Sequence, residues 1–280
     1  MKIFVYFLML FPLMANAQTV CTLESRERLE QVLAELSQGD LDKLTLNQLN
    51  VKIGNWFLGT PYVEKTLELP GEERLVVNLT GLDCTTYLET VVTLSRLVIK
   101  GNLDGEAYEK ELEFLRYRGG ANMDYPSRLH YFSDWIYENQ EKGILRDITA
   151  EIGGQVYENK PTFMSTHPKF YPQLSRGQFV DQIKAAEKAI ASRTYHYIPK
   201  DQIQKLEHLI QPGDLIGITA SMNNLDMVHV GFAVKKGGRI HLMHASTGSM
   251  EVEVSQKPLS DYLKGFKSQS GIMVSRLVRE

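Results

Sequence analysis

Hydrophobic residues recur every three to four positions through much of the first two thirds of the chain, which is the spacing of a buried helix face. The pattern predicts helices over residues 18–36, 45–56, 84–98, 105–118, 127–140 and about 178–192. A polar break at residues 37–40 separates the first two helices. The helix that begins at Cys84 has the widest apolar stripe, so we expect it to lie inside the molecule with Cys84 in its first turn.

Later in the chain, apolar and polar residues alternate in short runs, which is typical of strands. The predicted strands cover residues 75–79, 215–220, 229–235, 240–245, 250–254 and 272–278. A Gly-Gly turn within residues 236–239 joins two of them as a hairpin. Helices followed by an antiparallel meander predict an α+β fold. The proline-punctuated middle predicts a region around 100–205 inserted into a single domain of residues 18–280.

The N-terminus has the pattern of a signal peptide. Lys2 precedes an apolar run over residues 3–14, and Ala15-Asn16-Ala17 follows as a cleavage site. We therefore expect residues 1–17 to be removed and the protein to be exported to the periplasm or the extracellular space. The run is shorter than the roughly 20 residues that span a bilayer, so no membrane span is expected after cleavage. The formal charge of -3 gives no support to a nucleic-acid partner.

The chain has two cysteines, Cys21 and Cys84, and their positions favour different chemistry. A cysteine at a helix start meets free backbone N–H groups and the positive end of the helix dipole, which favour the nucleophilic thiolate. The same N–H groups can stabilise an oxyanion. Two alternatives remain open, because free cysteines are often simply buried and because an exported protein can join the two as a disulfide.

Two histidines lie on the predicted hairpin. His229 opens its first strand and His244 ends its second, so the two rings can come within hydrogen-bonding distance. One can take the thiol proton while the other orients it. His241 lies on the opposite face of the strand. Asp214 and Asp226 could complete a zinc site, but no metal-binding motif is present, and we expect neither a metal nor another cofactor.

Five short blocks of sequence resemble the NlpC-type cell-wall peptidases, which are papain-like. The blocks are residues 59–63, 82–85, 212–215, 229–232 and 244–246, in that order. The resemblance implies a papain-like fold in which the Cys84 helix packs on the C-terminal antiparallel sheet. It also implies that Cys84 is the nucleophile, His229 the general base and His244 the orienting residue.

A second resemblance narrows the family. Residues 55–62 and 127–135 are similar to signatures of a branch long catalogued as a domain of unknown function, whose members resemble N-acetylmuramoyl-L-alanine amidases. This implies cleavage of the amide bond between N-acetylmuramic acid and L-alanine in peptidoglycan or muropeptides. Separately, we expect the protein to be a monomer. The residues expected to contact substrate are Trp56, Tyr62, Asp83, Thr85, Arg128, Tyr131, Asp134 and Ser246. Arg128 would bind a carboxylate, and the aromatic rings a sugar.

Other functions remain open at this point. The chain departs from the usual NlpC pattern after Tyr62 and after Cys84, yet a γ-D-glutamyl-diamino acid endopeptidase remains an alternative. A second alternative is a catalytically silent wall-binding protein with a Cys21–Cys84 disulfide. A papain-like acyltransferase is a third.

Overall fold

A computed structural model describes residues 19–41, 43–175 and 177–279. The predicted signal peptide over residues 1–17 lies outside the described residues. The helices are α1 (Leu23–Gln38), α2 (Leu46–Asn55), α3 (Cys84–Lys100), α4 (Gly105–Arg116), α5 (Phe132–Glu141), α6 (Phe163–Thr166), α7 (Gly177–Ala191), α8 (Ile203–Leu206) and α9 (Leu259–Lys264). The strands are β1 (Val20–Cys21), β2 (Val76–Val77), β3 (Leu145–Asp147), β4 (Gln155–Tyr157), β5 (Tyr195–Pro199), β6 (Leu215–Ala220), β7 (Met227–Lys236), β8 (Arg239–Ser246), β9 (Glu251–Val254) and β10 (Gln269–Leu277).

One antiparallel sheet organises the C-terminal half. Its strand order is β4-β5-β10-β6-β7-β8-β9, and β3 also pairs with β10. The strands predicted over the last 70 residues form its centre, and β6 has the predicted bounds. Strands from the middle of the chain extend the same sheet, because β3 and β5 both pair with β10. The structure thus confirms an α+β fold with N-terminal helices and a C-terminal antiparallel sheet.

The α3 helix is the central element of the helical layer and is buried along most of its length. It packs against β7 and β8, and the edge of the Tyr87 ring meets Phe232 with ring centroids 5.9 Å apart. The opposite face of the sheet has its own core, built from residues such as Ile218, Leu242 and Leu263. Apolar burial on both faces fixes the sheet between two layers and holds the first turn of α3 beside β7.

The predicted helix over residues 127–140 begins later than expected. A 3₁₀ turn at Tyr125–Ser127 is capped by Asp124, and the chain then runs extended through Arg128 and Tyr131 before α5 begins. The extended segment is held because the Leu129 N–H donates to the Arg116 carbonyl at 3.0 Å. This displacement decides where Arg128 and Tyr131 lie.

A buried ion pair joins the helices beneath the site. Arg116 Nε lies 2.7 Å from Glu89 Oε2, and Trp135 Nε1 donates to the other Glu89 oxygen at 3.1 Å. Arg116 also donates to the Val76 carbonyl. Within residues 19–41, 43–175 and 177–279, none of the helices combines the length and the apolar character that crossing a bilayer requires.

Candidate active site

Cys84 is the first residue of α3, and a capping box fixes the helix start at this residue. Asp83 is the N-cap: its carboxylate accepts from the Thr86 backbone N–H at 2.8 Å, and its own N–H donates to the Thr86 hydroxyl at 2.9 Å. The Asp-x-x-Thr spacing is a local signal for a helix start. The sulfur is thereby held at the N-terminal end of a rigid, buried helix.

The groups around the Cys84 thiol have opposing effects on its pKa. Burial, and after it the Asp83 carboxylate, raises the pKa of the Cys84 thiol to about 12, although the Val230 N–H and Thr85 hydrogen-bond the sulfur. The sequence predicted a helix start that favours the thiolate. In the structure the thiol form is favoured instead, because loss of solvation and a neighbouring negative charge outweigh the hydrogen bonds. The resting group is a neutral thiol.

His229 and His244 form the predicted pair. His229 Nε2 lies 2.6 Å from His244 Nδ1, and the two rings are nearly perpendicular, at 88°. Burial lowers the pKa of His229 to about 4. Burial, with the charge of His229, lowers the pKa of His244 to about 3. Both rings are therefore neutral near pH 7, with one nitrogen of the contact donating and the other accepting.

The pairing between β7 and β8 ends just before the histidines. Registered pairs run from Lys236–Arg239 to Phe232–Met243, and the two strands continue beyond that point. The Val230 N–H in this continuation is the group that hydrogen-bonds the Cys84 sulfur. Gly231 lies against β8 here: a Cβ at this position would be 2.6 Å from the Met243 carbonyl oxygen and 2.9 Å from His244 Cβ. A glycine lets the two histidine-bearing strands approach each other.

Cys84 and His229 line the same cavity, which has a volume of about 500 Å³. Its other polar lining residues are Lys65, Glu68, Asp83, Thr85, Glu89, Arg116, Arg128, His130, Tyr131, Tyr171 and Asp226. Apolar walls come from Phe132, Met164, Phe170, Leu225 and their neighbours. Such a cleft can hold a polar ligand of several groups, with a thiol and a neutral imidazole at its wall.

The N-acetylmuramoyl-L-alanine amidase-like family model matches residues 52–272, which include all of these cavity residues. The chain belongs to this amidase-like family. The match confirms the resemblance to the amidase branch that was inferred from residues 55–62 and 127–135.

Solved structures agree with the assignment to the amidase-like family. An N-acetylmuramoyl-L-alanine amidase from Bacteroides uniformis is 34% identical, with a TM-score of 0.80 over 84% of this chain and 99% of that one. A Bacteroides fragilis protein described as a candidate xylanase is 36% identical, with a TM-score of 0.77 over 81% and 99% of the two chains. A Legionella pneumophila protein of family DUF1460 shares the fold at 22% identity, with a TM-score of 0.70 over 91% and 96%. No curated protein matches the sequence.

Several of the predicted substrate residues do meet at the cavity of this amidase-like chain. Asp83, Thr85, Arg128 and Tyr131 line it together with the cysteine and His229. Tyr62 lies near Cys84 and Asp83. Burial, and after it these two groups, raise the pKa of its phenol to about 12. The structure therefore gathers these residues around the sulfur, while their contacts with substrate stay predictions.

Besides Tyr62, three predicted substrate residues are not among the cavity-lining residues: Asp134, Trp56 and Ser246. Asp134 is buried beneath Arg118 and Arg193, at 2.5 and 2.6 Å. Trp56 closes α2 and packs partly buried against the core. Ser246 is buried at the end of β8, where its hydroxyl accepts from the backbone N–H groups of the following turn. Each has a structural contact that the sequence pattern did not reveal.

Arg128 lines the cavity, but its guanidinium is already bound. It lies 2.5 Å from Glu68 and 3.4 Å from Glu73, and it donates to the Leu67 carbonyl at 3.1 Å. Two carboxylates therefore compete with a substrate carboxylate for this guanidinium. Arg128 lies at the cavity as expected, and its carboxylate-binding role stays a prediction.

Tyr131 is also fixed by contacts within the protein. Its hydroxyl donates to the buried Glu187 at 2.8 Å and accepts from the Met164 N–H at 3.0 Å. Tyr131 therefore holds the wall formed by α6 and α7 against the start of α5.

Several residues that line the cavity were not predicted from the sequence. His130 is half-buried, and its Nε2 lies 2.8 Å from the Tyr125 carbonyl oxygen. Burial, aided by Arg128, lowers its pKa well below the usual value, so its ring is neutral. Lys65 is exposed at the rim in a left-handed conformation, with φ of 60°. No local motif marks either residue, because both reach the cavity through loops.

The structure also bears on two alternative roles of cysteine and aspartate, a disulfide between the cysteines and a zinc site that includes aspartates. Cys21 and Cys84 are both free thiols, so the proposed disulfide is not formed. Asp214 forms a two-point ion pair with Arg276, and Asp226 accepts the Ser133 N–H at 2.8 Å. Elsewhere in the described part of the chain as well, no three His, Cys, Asp or Glu side chains cluster in a way that could bind a metal ion.

Proposed function

We propose that the mature protein is an exported, papain-like N-acetylmuramoyl-L-alanine amidase. It would hydrolyse the amide bond between the lactyl group of N-acetylmuramic acid and the L-alanine of the stem peptide. The observation that carries the proposal is the helix-borne Cys84 at the wall of a cavity that His229 also lines, with His229 paired to His244 on the neighbouring strand. Membership of the amidase-like family supports the choice of scissile bond.

In the proposed mechanism, His229 takes the thiol proton as the Cys84 sulfur attacks the amide carbonyl. Since His229 Nε2 is engaged with His244, its Nδ1 is the nitrogen available to the sulfur. Backbone N–H groups at the start of α3, including that of Cys84, stabilise the oxyanion. His229 then gives its proton to the leaving amine of L-alanine, and the stem peptide departs. Water, with His229 as its base, hydrolyses the thioester and frees the muramic acid carboxylate.

The resting protonation states favour proton transfer during the attack over a preformed thiolate. The thiol pKa is raised to about 12 and the His229 pKa is lowered to about 4, so both groups are neutral near pH 7. The imidazole therefore acts as a general base in the first step and a general acid in the second.

A glycosidase mechanism fits the cavity less well. Glycoside hydrolysis commonly needs two available carboxyl groups on either side of the bond. The acidic side chains of the cavity are engaged: Glu68 with Arg128, Glu89 with Arg116, and Asp226 with the Ser133 N–H. Asp83 caps α3.

Export is part of the proposal and is supported by the signal-peptide pattern of residues 1–17. An exported protein would meet peptidoglycan or muropeptides outside the cytoplasm. We also expect a monomer that needs no cofactor, since the proposed chemistry uses only side chains and backbone groups.

Product masses test the proposal. The mature protein is incubated with a muropeptide of N-acetylmuramic acid linked to L-Ala-D-Glu-diamino acid, and with the same stem peptide lacking the sugar. We expect free N-acetylmuramic acid and an intact stem peptide from the first substrate. Release of the diamino acid, leaving a sugar-linked dipeptide, would instead show an endopeptidase. Cleavage of xylo-oligosaccharides in a parallel sample would contradict the amidase assignment.

A further inference from the structure

A buried nitrogen behind the histidine pair has no partner. His244 is 0% exposed, and its Nε2 has no hydrogen bond to any described group. Its Nδ1 is occupied by His229 Nε2 at 2.6 Å. Leaving a buried polar atom unpaired is destabilising, so a group that can satisfy Nε2 is expected nearby.

The direction of the proton in the His229–His244 contact determines what that group must be. For Nδ1 of His229 to accept the thiol proton, His229 must carry its own proton on Nε2 and donate it to His244 Nδ1. A neutral His244 that accepts at Nδ1 must carry its proton on Nε2. That nitrogen is then a donor, so the missing partner is an acceptor.

Glu253 is placed to be this acceptor. It lies directly opposite His244 in the pairing of β8 with β9, and its Oε1 is 3.8 Å from His244 Nε2. That distance is too long for a hydrogen bond. The Glu253 side chain is 28% exposed and lines a groove, however, and a shift of about 1 Å would bring its oxygen to hydrogen-bonding distance. Hydrogen bonds of a catalytic site often tighten only when substrate binds.

The ring of Tyr262 supports the same arrangement from α9. It meets His244 edge-on with ring centroids 5.6 Å apart. Glu253 is, after burial, the first group that raises the pKa of the Tyr262 phenol, which places the carboxylate beside this ring. Tyr262 thus contacts the His244 ring and lies near the Glu253 carboxylate.

We propose that Glu253 is a positioning residue that accepts the His244 Nε2 proton in a hydrogen bond and completes a chain Cys84–His229–His244–Glu253. The proposal rests on the proposed function, since it assigns the proton order that makes His229 a base. In the attack step the thiol proton moves to His229 Nδ1, and no proton leaves His244. Glu253 keeps the tautomer and ring orientation that this step needs.

Kinetics of matched variants give the first test. Removing the acceptor in Glu253→Ala should lower kcat about 10–100-fold with KM nearly unchanged, because the substrate does not touch this residue. Glu253→Gln retains an acceptor oxygen and should recover most of the rate. Glu251→Gln, which removes an exposed carboxylate two residues away on the same strand, is the control and should stay within about twofold of wild type. Equal kcat values in wild type and Glu253→Ala would overturn the proposal.

A tautomer measurement keeps the proposal separate from the proposed function. Nitrogen-15 NMR of histidine-labelled protein distinguishes protonated from unprotonated ring nitrogens, and a His244→Gln variant assigns the signal. We expect His244 to be protonated at Nε2 in wild type and in Glu253→Gln, and a mixture of tautomers in Glu253→Ala. His244 protonated at Nδ1 in wild type would overturn the proton order even if the muropeptide is cleaved. If the muropeptide assay fails, the expected tautomers would still support the role of Glu253.

Discussion

At the residue scale, the proposed mechanism depends on neutral groups that exchange a proton only during the reaction. The helix start and the Val230 N–H favour a charged sulfur, yet burial and Asp83 outweigh them. His229 is kept neutral by the same loss of solvation. In the proposed mechanism, Cys84 and His229 therefore act as a thiol and a base rather than as an ion pair, and His229 can accept a proton over a wide pH range.

The lowered pKa of His229 predicts where activity is lost in acid. A base must be unprotonated, and burial lowers the His229 pKa from 6.5 to about 4. We expect kcat/KM to stay level as pH falls from 7 to about 5, and to reach half its plateau near pH 4. Initial rates of muropeptide cleavage across this range measure the profile.

Protein stability must be followed in the same samples. The unfolded chain binds a proton at His229 near pH 6.5 while the folded state does not, so this residue contributes stability above pH 6.5 that is lost as pH falls towards 4. Tryptophan fluorescence shows whether the fold persists at each pH. Half-maximal activity near pH 6.5 in folded protein would contradict a buried, neutral base.

The residues that were predicted correctly from the sequence have partners close to them along the chain, whereas the others have distant partners. The His229–His244 contact follows from a hairpin of adjacent strands, and the placement of Cys84 follows from the apolar period and the Asp-x-x-Thr cap. Asp134 and Arg128 could not be assigned this way. Their partners Arg193 and Glu68 lie 59 and 60 residues away in sequence, and no short pattern encodes such contacts.

At the element scale, the site forms where two strands stop pairing. The registered ladder of β7 and β8 ends at Phe232–Met243, and the start of α3 reaches the strand segment beyond it. The alternation of apolar and polar residues alone predicted both strands of this hairpin. The end of the ladder, and the extended segment before α5, depend on tertiary contacts such as Leu129 N–H to the Arg116 carbonyl, which periodicity does not reveal.

Gly231→Ala tests the close approach of β7 and β8. An added Cβ would lie 2.6 Å from the Met243 carbonyl oxygen and 2.9 Å from His244 Cβ, both on β8 and unable to move freely. We expect His244 to be displaced from His229, with kcat/KM falling about 100-fold and stability by about 1–3 kcal/mol. Muropeptide turnover and urea unfolding measure the two effects.

The matched control is Gly105→Ala at the start of α4, where an added Cβ meets nothing within 4 Å. This variant should match wild type in activity and in unfolding. If Gly231→Ala has wild-type kcat/KM, the spacing of the two strands does not set the position of the histidine pair.

At the scale of the whole molecule, a buried polar network holds together the helical layer that carries Cys84. Glu89 on α3 contacts Arg116 on α4 and Trp135 on α5, and Arg116 reaches the carbonyl of Val76 in β2. Glu89 also lies at the cavity wall, so the network joins the floor of the site to the core.

Glu89→Gln should be strongly destabilising, because it leaves the buried Arg116 charge without its counter-ion. The expected loss is about 3–5 kcal/mol in the free energy of unfolding, measured by urea denaturation. Glu106→Gln removes one partner of an exposed pair with Lys110 and should change stability by less than about 1 kcal/mol. Similar stabilities for the two variants would show that the buried pair does not hold the layer together.

The central claim, that the Cys84 sulfur performs the reaction, is tested most directly by the rate of stem-peptide release from a defined muropeptide. Wild type, Cys84→Ala and Cys21→Ala are compared, the last serving as control because Cys21 is the other free thiol. We predict that wild type and Cys21→Ala release the intact stem peptide at similar rates, and that folded Cys84→Ala releases none. Release of the stem peptide by Cys84→Ala at a rate near wild type would contradict the account.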